Sequence, residues 1–168
     1  MEKKILIIVS VLGGLVFGVF FTGLAMNMSS EKMMLVEIKS PYEFDKTVDV
    51  IQNRINNKDG WRVTGVIDQN KAVIDGGGAP IGKFKIVKYC SGKFASEMLN
   101  NDDRRKIGVM MPKSFAVYEK SNGQVYISTA NGAIMGKLFG SDASNIMEKV
   151  ALDVEGIMSF VNLKFNVF

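Results

Sequence analysis

The sequence predicts an α+β protein: one N-terminal transmembrane helix, then a two-layer sandwich of a mainly antiparallel sheet with helices on one face. Three observations predict it. Residues 5–26 carry no charged side chain. The rest of the chain mixes segments of period two with segments of period 3.6, the patterns of half-buried strands and amphipathic helices. Ser121-Asn122-Gly123 lies between two strand-like runs and reads as a hairpin turn. With 168 residues, 47% hydrophobic and 23% charged, the chain is sized for one packed domain plus a small addition. The expected division is a transmembrane anchor over 1–27, a linker over 28–32, an α+β domain over 33–160 and an extended tail over 161–168.

The uncharged run Ile5–Met26 is 22 residues long. As a helix it would span roughly 33 Å, enough for a hydrocarbon core of about 30 Å. Met1-Glu2-Lys3-Lys4 has two lysines against one acid, and Asn27–Lys32 has no basic excess. Lysines hold their end in the cytoplasm, which predicts a single-pass protein of the cell membrane with its C-terminal domain extracytoplasmic. The rival reading is a cleaved signal peptide, for which Gly23-Leu24-Ala25 offers small residues. The apolar run exceeds the usual length of about 7–15 residues for that purpose, which favours a retained anchor. Ser10, Gly14, Gly18 and Thr22 recur every four residues. Small residues let helix backbones approach in lipid, so the stripe is a candidate helix-packing face for a second copy or for another membrane-protein subunit. Glycine is also common in membrane helices without that role.

The elements follow in order. Asn27–Lys32 is a polar linker and Met33–Lys39 is strand-like. Ser40-Pro41-Tyr42-Glu43 predicts a helix start with Ser40 as cap and Glu43 completing a capping box. Phe44, Val48, Ile51 and Ile55 form one apolar face, and Gly60 ends the helix. Trp61–Asp68 is a second strand, Asn70–Ile74 a short helix, and Gly76-Gly77-Gly78 a flexible loop. That loop lacks the Gly-Lys-Ser/Thr of a phosphate cradle. Lys83–Cys90 is a third strand, and Ser91 caps a helix carrying Phe94, Met98 and Leu99. After a polar turn over Asn100–Lys106, Ser114–Lys120 and Gln124–Thr129 form the hairpin. Ala133–Phe139 and Asp142–Phe160 are the last helical regions. In the tail, Val161, Leu163, Phe165 and Val167 alternate with polar residues, the pattern of a strand. Such a tail pairs with its own sheet or adds to a partner's.

Composition removes several chemistries. There is no histidine, so imidazole ligation, Ser-His-Asp or Cys-His machinery and a histidine base are excluded. A single cysteine excludes an internal disulfide and a Cys-x-x-Cys motif. Net charge is +4, and Arg104-Arg105-Lys106 adjoins Asp102-Asp103, so no nucleic-acid patch is expected. No catalytic residue and no cofactor are assigned. Cys90 is the one metal or thiol candidate. Lys88 and the helix start at Ser91 would lower its pKa, whereas a buried cysteine at a strand end would be inert. Among the 11 methionines, Met26-Asn27-Met28, Met33-Met34 and Met110-Met111 are close together. Thioethers select Cu(I), but methionines more often fill core gaps. Tyr89, Tyr118 and Tyr126 read as sheet-packing residues.

Several segments together resemble the domain-of-unknown-function 302 family. They are Ser40–Phe44 with Thr47-Val48, Asn57 through Trp61-Arg62-Val63, Ile86–Cys90 with Ala95, Met110-Met111-Pro112, Ala116–Lys120 and Gly123–Ser128. The resemblance covers roughly residues 33 to 160 and rests on order and spacing. It implies a compact, often self-associating α+β domain without a settled activity. It also implies a cysteine after the Met-Met-Pro segment and a histidine before the aspartate ending the second strand. Here those places hold Lys113 and Ile67, and Cys90 matches the remaining family cysteine. A cysteine–histidine cluster would therefore have lost most of its residues in this chain.

The function expected from the sequence is a membrane-anchored, non-enzymatic accessory subunit on the outer face of a membrane protein complex. Its partners would be the bilayer and other subunits or itself. The alternative is an extracytoplasmic metal or small-ligand binding module using Cys90 and methionines. A thiol enzyme is the third reading, and its base would have to be Lys, Asp, Glu or Tyr.

Overall fold

The computed structural model describes residues 2–165 and, before residue 35, the side chains of residues 3, 7, 9–23 and 34. The chain divides into two units, Met1–Met34 and Leu35–Phe168. The first is one helix, α1 (Glu2–Met34). The linker expected over 28–32 and the strand start expected at Met33-Met34 are helical instead. No glycine or proline interrupts Met26–Leu35, so nothing in that segment stops a helix. Ser10, Gly14, Gly18 and Thr22 are all exposed on α1. Among the described residues no helix is long and apolar enough to cross a membrane. Of the run Ile5–Met26, the described side chains are Ile7 and those of residues 9–23, and the remainder lies outside them.

The second unit is an α+β domain. Its elements are β1 (Leu35–Lys39), α2 (Phe44–Asn56), β2 (Trp61–Asp68), α3 (Gln69–Asp75), β3 (Phe84–Ser91) and α4 (Gly92–Leu99). A 3-10 segment (Asp102–Met110) then leads to β4 (Lys113–Glu119), β5 (Val125–Ala130), α5 (Gly132–Lys137) and α6 (Ser141–Ile157). The five strands order as β1-β5-β4-β3-β2, and every pairing is antiparallel.

One sheet face is apolar because strand residues alternate sides. Val87 and Tyr89, Phe115 and Val117, and Val125 and Ile127 all lie buried on it. Two amphipathic helices bury the matching faces: α2 through Phe44, Thr47, Val48, Ile51 and Ile55, and α6 through Ile146, Val150, Ala151, Val154 and Ile157 among others. Polar contacts fix α6. Trp61 Nε1 donates to Asp153 at 2.9 Å. Arg54 donates to the carbonyls of Ile157 and Gly156 and to Ser159 Oγ, a cation at the electronegative end of the helix.

Two local expectations are corrected. Helix α2 starts at Phe44, and the capping box does not form, since Glu43 is the N-cap and makes no side-chain cap bond. Ser40 Oγ instead accepts from the backbone of Tyr42 and lies 2.6 Å from Thr47 Oγ1, which itself donates to the Glu43 carbonyl. Buried hydroxyls satisfy each other there, so Ser40 closes the turn before the helix. The tail is not a strand among the described residues. Asn162 takes a left-handed conformation, and the Phe165 amide donates to the Glu155 carboxylate at 2.7 Å. Val161, Leu163 and Phe165 are buried in the domain's own core, so as placed they offer no surface to a partner. Val167 lies outside the described residues.

Candidate functional site

Strand β4 carries an anomaly on its core face. Phe115 and Val117 point into the core, and two residues earlier on the same side stands Lys113. Its register partner across β3–β4 is Tyr89. Next to this pair lies an apolar cavity of about 50 Å³. The sheet forms one wall through Trp61, Tyr89 and Lys113, and α4, the 3-10 segment and α6 form the others through Phe94, Met98, Ile107 and Met147. A volume of that size holds a few heavy atoms, more than the single water that needs about 10–15 Å³.

Aromatic stacking shapes the wall. Tyr89 stacks on Phe115 with ring centroids 4.6 Å apart, and Trp61 tilts against Tyr89 and Phe94 at 5.8 and 6.1 Å. Four methionines, Met98, Met110, Met111 and Met147, line the cavity. Their flexible thioethers make an adaptable apolar lining.

Tyr89 and Lys113 are the two residues with strong polar groups on the core side of these strands that border the cavity. The Tyr89 hydroxyl is fully buried without a hydrogen bond among the described residues. Burial pushes its pKa well above the ordinary phenol range, and nearby Thr129 offsets this in part. Thr129 Oγ1 itself donates to the Ser114 carbonyl at 2.9 Å. Thr129 is a polar neighbour of the phenol, and no hydrogen bond joins them among the described residues. Lys113 has no ion pair among the described residues, and burial pulls its amine down to about 8. A desolvated amine is the usual origin of such a lowering.

The comparisons bear on this domain directly. The family described as Domain of unknown function DUF302 matches residues 36–161. The chain belongs to the DUF302 family. A crystal structure of an uncharacterized conserved DUF302 protein from Bacillus stearothermophilus matches with a TM-score of 0.67 and 15% identity, covering 77% of this chain and 98% of that one. At that identity the likeness shows the fold. No curated protein matches the chain.

The DUF302 domain gathers some of the residues singled out in the sequence and leaves others apart. Cys90 borders the cavity together with Met110 and Met111. Alternation puts its side chain opposite Tyr89 and Ser91, and its register partner is the exposed Arg62. Burial raises the Cys90 thiol pKa, and Ser91 makes no side-chain cap bond. Both point to the inert of the two readings of Cys90, since desolvation disfavours the thiolate. Among the described residues no group of three His, Cys, Asp or Glu side chains is placed to hold a metal ion. Asp102 and Asp103 are exposed, and Asp102 pairs with Arg105 at 3.2 Å. Sequence reasoning missed Lys113, Met98 and Met147, and took Tyr89 for packing alone. The signal for Lys113 was present: in Lys113-Ser114-Phe115-Ala116-Val117 the lysine falls in phase with the apolar residues.

Proposed function

We propose that this DUF302 protein is a membrane-anchored accessory subunit whose outer domain binds a small, largely apolar ligand without turning it over. The apolar cavity with its methionine lining carries this reading. Small-ligand sites are concave, mostly apolar and marked by a few placed polar groups. The anchor rests on the uncharged run Ile5–Met26 with Lys3 and Lys4 at its cytoplasmic end. The accessory role is favoured by the small-residue stripe on α1, where a side-chain carbon at Gly14 or Gly18 would meet nothing within 4 Å.

The metal version of the module fits less well. Cys90 and four methionines border one cavity, but Lys113 shares it, and an ammonium repels a second cation at close range.

Membranes from cells making the full chain, washed with alkaline carbonate and treated with protease from outside, test the placement. The expected result is a chain that stays in the pellet and loses its domain to protease. A soluble polypeptide beginning near residue 26 overturns it. Native mass spectrometry of the full chain released from nanodiscs tests the module. An added mass that is lost when Met98→Trp fills the cavity supports it, and an empty cavity with every small apolar probe offered overturns it.

A further inference from the structure

We propose that the end of the DUF302 domain carrying Leu35, Val109, Leu138 and Phe139 rests on the lipid surface, with these side chains in the interfacial layer and Lys106 and Lys137 among anionic headgroups. This rests on the membrane-anchored reading above and adds a second contact with the bilayer.

The sheet brings these residues to one end. Strand β1 begins at Leu35, opposite Ala130, the last residue of β5. Thr129 Oγ1 donates to the Ser114 carbonyl, so the start of β4 lies there too. The 3-10 segment leads into β4 through Met110 and Met111, and α5 follows β5 at Gly132. Met110, Met111 and Phe139 border the same apolar cavity, so the two segments are neighbours.

Exposed apolar side chains gather at this end. Val109 is 90% exposed, Leu138 69% and Leu35 54%, and Phe139 beside Leu138 is exposed as well. Single exposed apolar residues are ordinary, but a group of them at one end marks a contact surface. Leu152 is such a single residue on α6. Ile74 and Ile81 are exposed too, but they precede the start of β3, which pairs with the end of β4 at the opposite end of the sheet. That opposite end is polar, with Glu43, Asp45, Lys83 and Glu119 around its groove.

Two observations select lipid as the occupant. The first is charge. From Arg104 to Tyr118 and from Asn131 to Ser141 the sequence holds no acid. Arg104 and Arg105 are paired with Asp142 and Asp102. Lys106 and Lys137 are exposed and enter no ion pair among the described residues. Exposed Asp103 offsets part of that charge. Apolar tips flanked by free lysines suit the boundary between acyl chains and anionic headgroups. The second observation is reach. Helix α1 runs to Met34 and β1 begins at Leu35. Only residues 27–34 separate the uncharged run from Leu35. As helix they rise about 12 Å, and the headgroup layer takes up roughly 5–8 Å of that. An anchor over Ile5–Met26 therefore holds Leu35, and the end of the sheet that it begins, within a few ångströms of the headgroups.

The test uses the full chain in nanodiscs containing phosphatidylglycerol, on a Cys90→Ser background. Val109→Cys, Leu138→Cys and, at the β4–β5 hairpin, Ser121→Cys are each labelled with an environment-sensitive fluorophore. All three sites are exposed, so the label leaves the core intact. Lipids with a nitroxide near the headgroup serve as quencher. The expected result is quenching at Val109 and Leu138 at least about twofold greater than at Ser121, and a fall at both when Lys106→Glu and Lys137→Glu are combined. Equal quenching at the three sites, in a chain that stays with the discs, overturns the docking and leaves the anchor standing. A label at Val109 or Leu138 that shifts to the blue without being quenched means that protein covers this surface, and it overturns lipid as the occupant. Quenching that survives the double charge reversal overturns the role of the two lysines. A chain that elutes apart from the discs removes the anchored reading, and the docking with it.

Discussion

Lys113 and Gly132 interlock: the amine of the lysine occupies the space that a side chain at Gly132 would take, with Nζ 2.6 Å from the position of a β-carbon there. A second α5 glycine, Gly136, meets a less yielding part of its surroundings. A β-carbon on Gly136 would meet Met147 Cβ at 2.6 Å and the Ser144 backbone at 3.3 Å. The two contacts differ in what can yield. The end of a lysine side chain swings away at small cost, whereas Met147 Cβ and Ser144 Cα are fixed to α6. Gly132→Ala is therefore expected to change stability by less than about 1 kcal/mol, and Gly136→Ala to lower it by about 1–3 kcal/mol. Urea melts of the two variants check this, and equal losses would count against the assigned contacts.

Stability should respond to Lys113 with a definite sign. Its folded-state pKa lies near 8, below the 10.5 of a free lysine. Below pH 8 both states are protonated, and the folded protein carries the full cost of a buried charge. Between about 8 and 10.5 the unfolded chain holds a proton that the folded one has released, so this residue's contribution makes stability rise with pH. Lys113→Met is expected to be more stable than the natural chain by about 1–3 kcal/mol at pH 7. That advantage shrinks as pH climbs from 8 to 10. Paired denaturation curves at pH 7, 8, 9 and 10 measure it, and a constant gap would refute the assignment.

The sheet was legible in the sequence because its signals are local. Trp61–Asp68 alternates, and Ser121-Asn122-Gly123 closes the hairpin with Gly123 at φ 75°. The tail was not legible in the same way. Period two in residues 161–165 reports which side chains are buried, but the backbone partner of Phe165 is the Glu155 side chain, which no local pattern announces. The cavity was legible only in part. Met110 and Met111 stood out as a pair, yet Met98 on α4 and Met147 on α6 join them through tertiary packing. Lys113 was visible as a charged residue in phase with Phe115 and Val117, a pattern that propensity alone treats as a strand end.

Removing core volume from the tail should cost as much as removing it from a strand. Leu163 is 1% exposed and packs in the main core. Leu163→Ala is expected to lower stability by roughly 2–4 kcal/mol. A free partner-seeking arm would tolerate the same change within about 0.5 kcal/mol. Chemical denaturation of the full chain distinguishes the two, and a loss below 1 kcal/mol would show that the tail does not pack as described.

On the opposite face of the sheet, Glu37 joins β1 to the β4–β5 hairpin. Its carboxylate accepts from Lys120 Nζ at 2.8 Å and from the Tyr118 hydroxyl. The Lys120 bond, then the Tyr118 bond, holds the Glu37 pKa below its ordinary value of 4.5. Tyr118 moves the other way, pushed up to about 12 by burial and then by the carboxylate beside it. A depressed carboxylate stabilises the fold above its unfolded pKa, and the contribution is lost as pH falls through the folded one. The group is well exposed, so solvent keeps the effect small. Glu37→Gln should therefore cost at most about 1 kcal/mol at pH 7. It should also flatten the acid limb of the stability profile between pH 5 and 3. Melts of both proteins across that range decide it: a variant whose acid limb still parallels the natural one would remove Glu37 as its source.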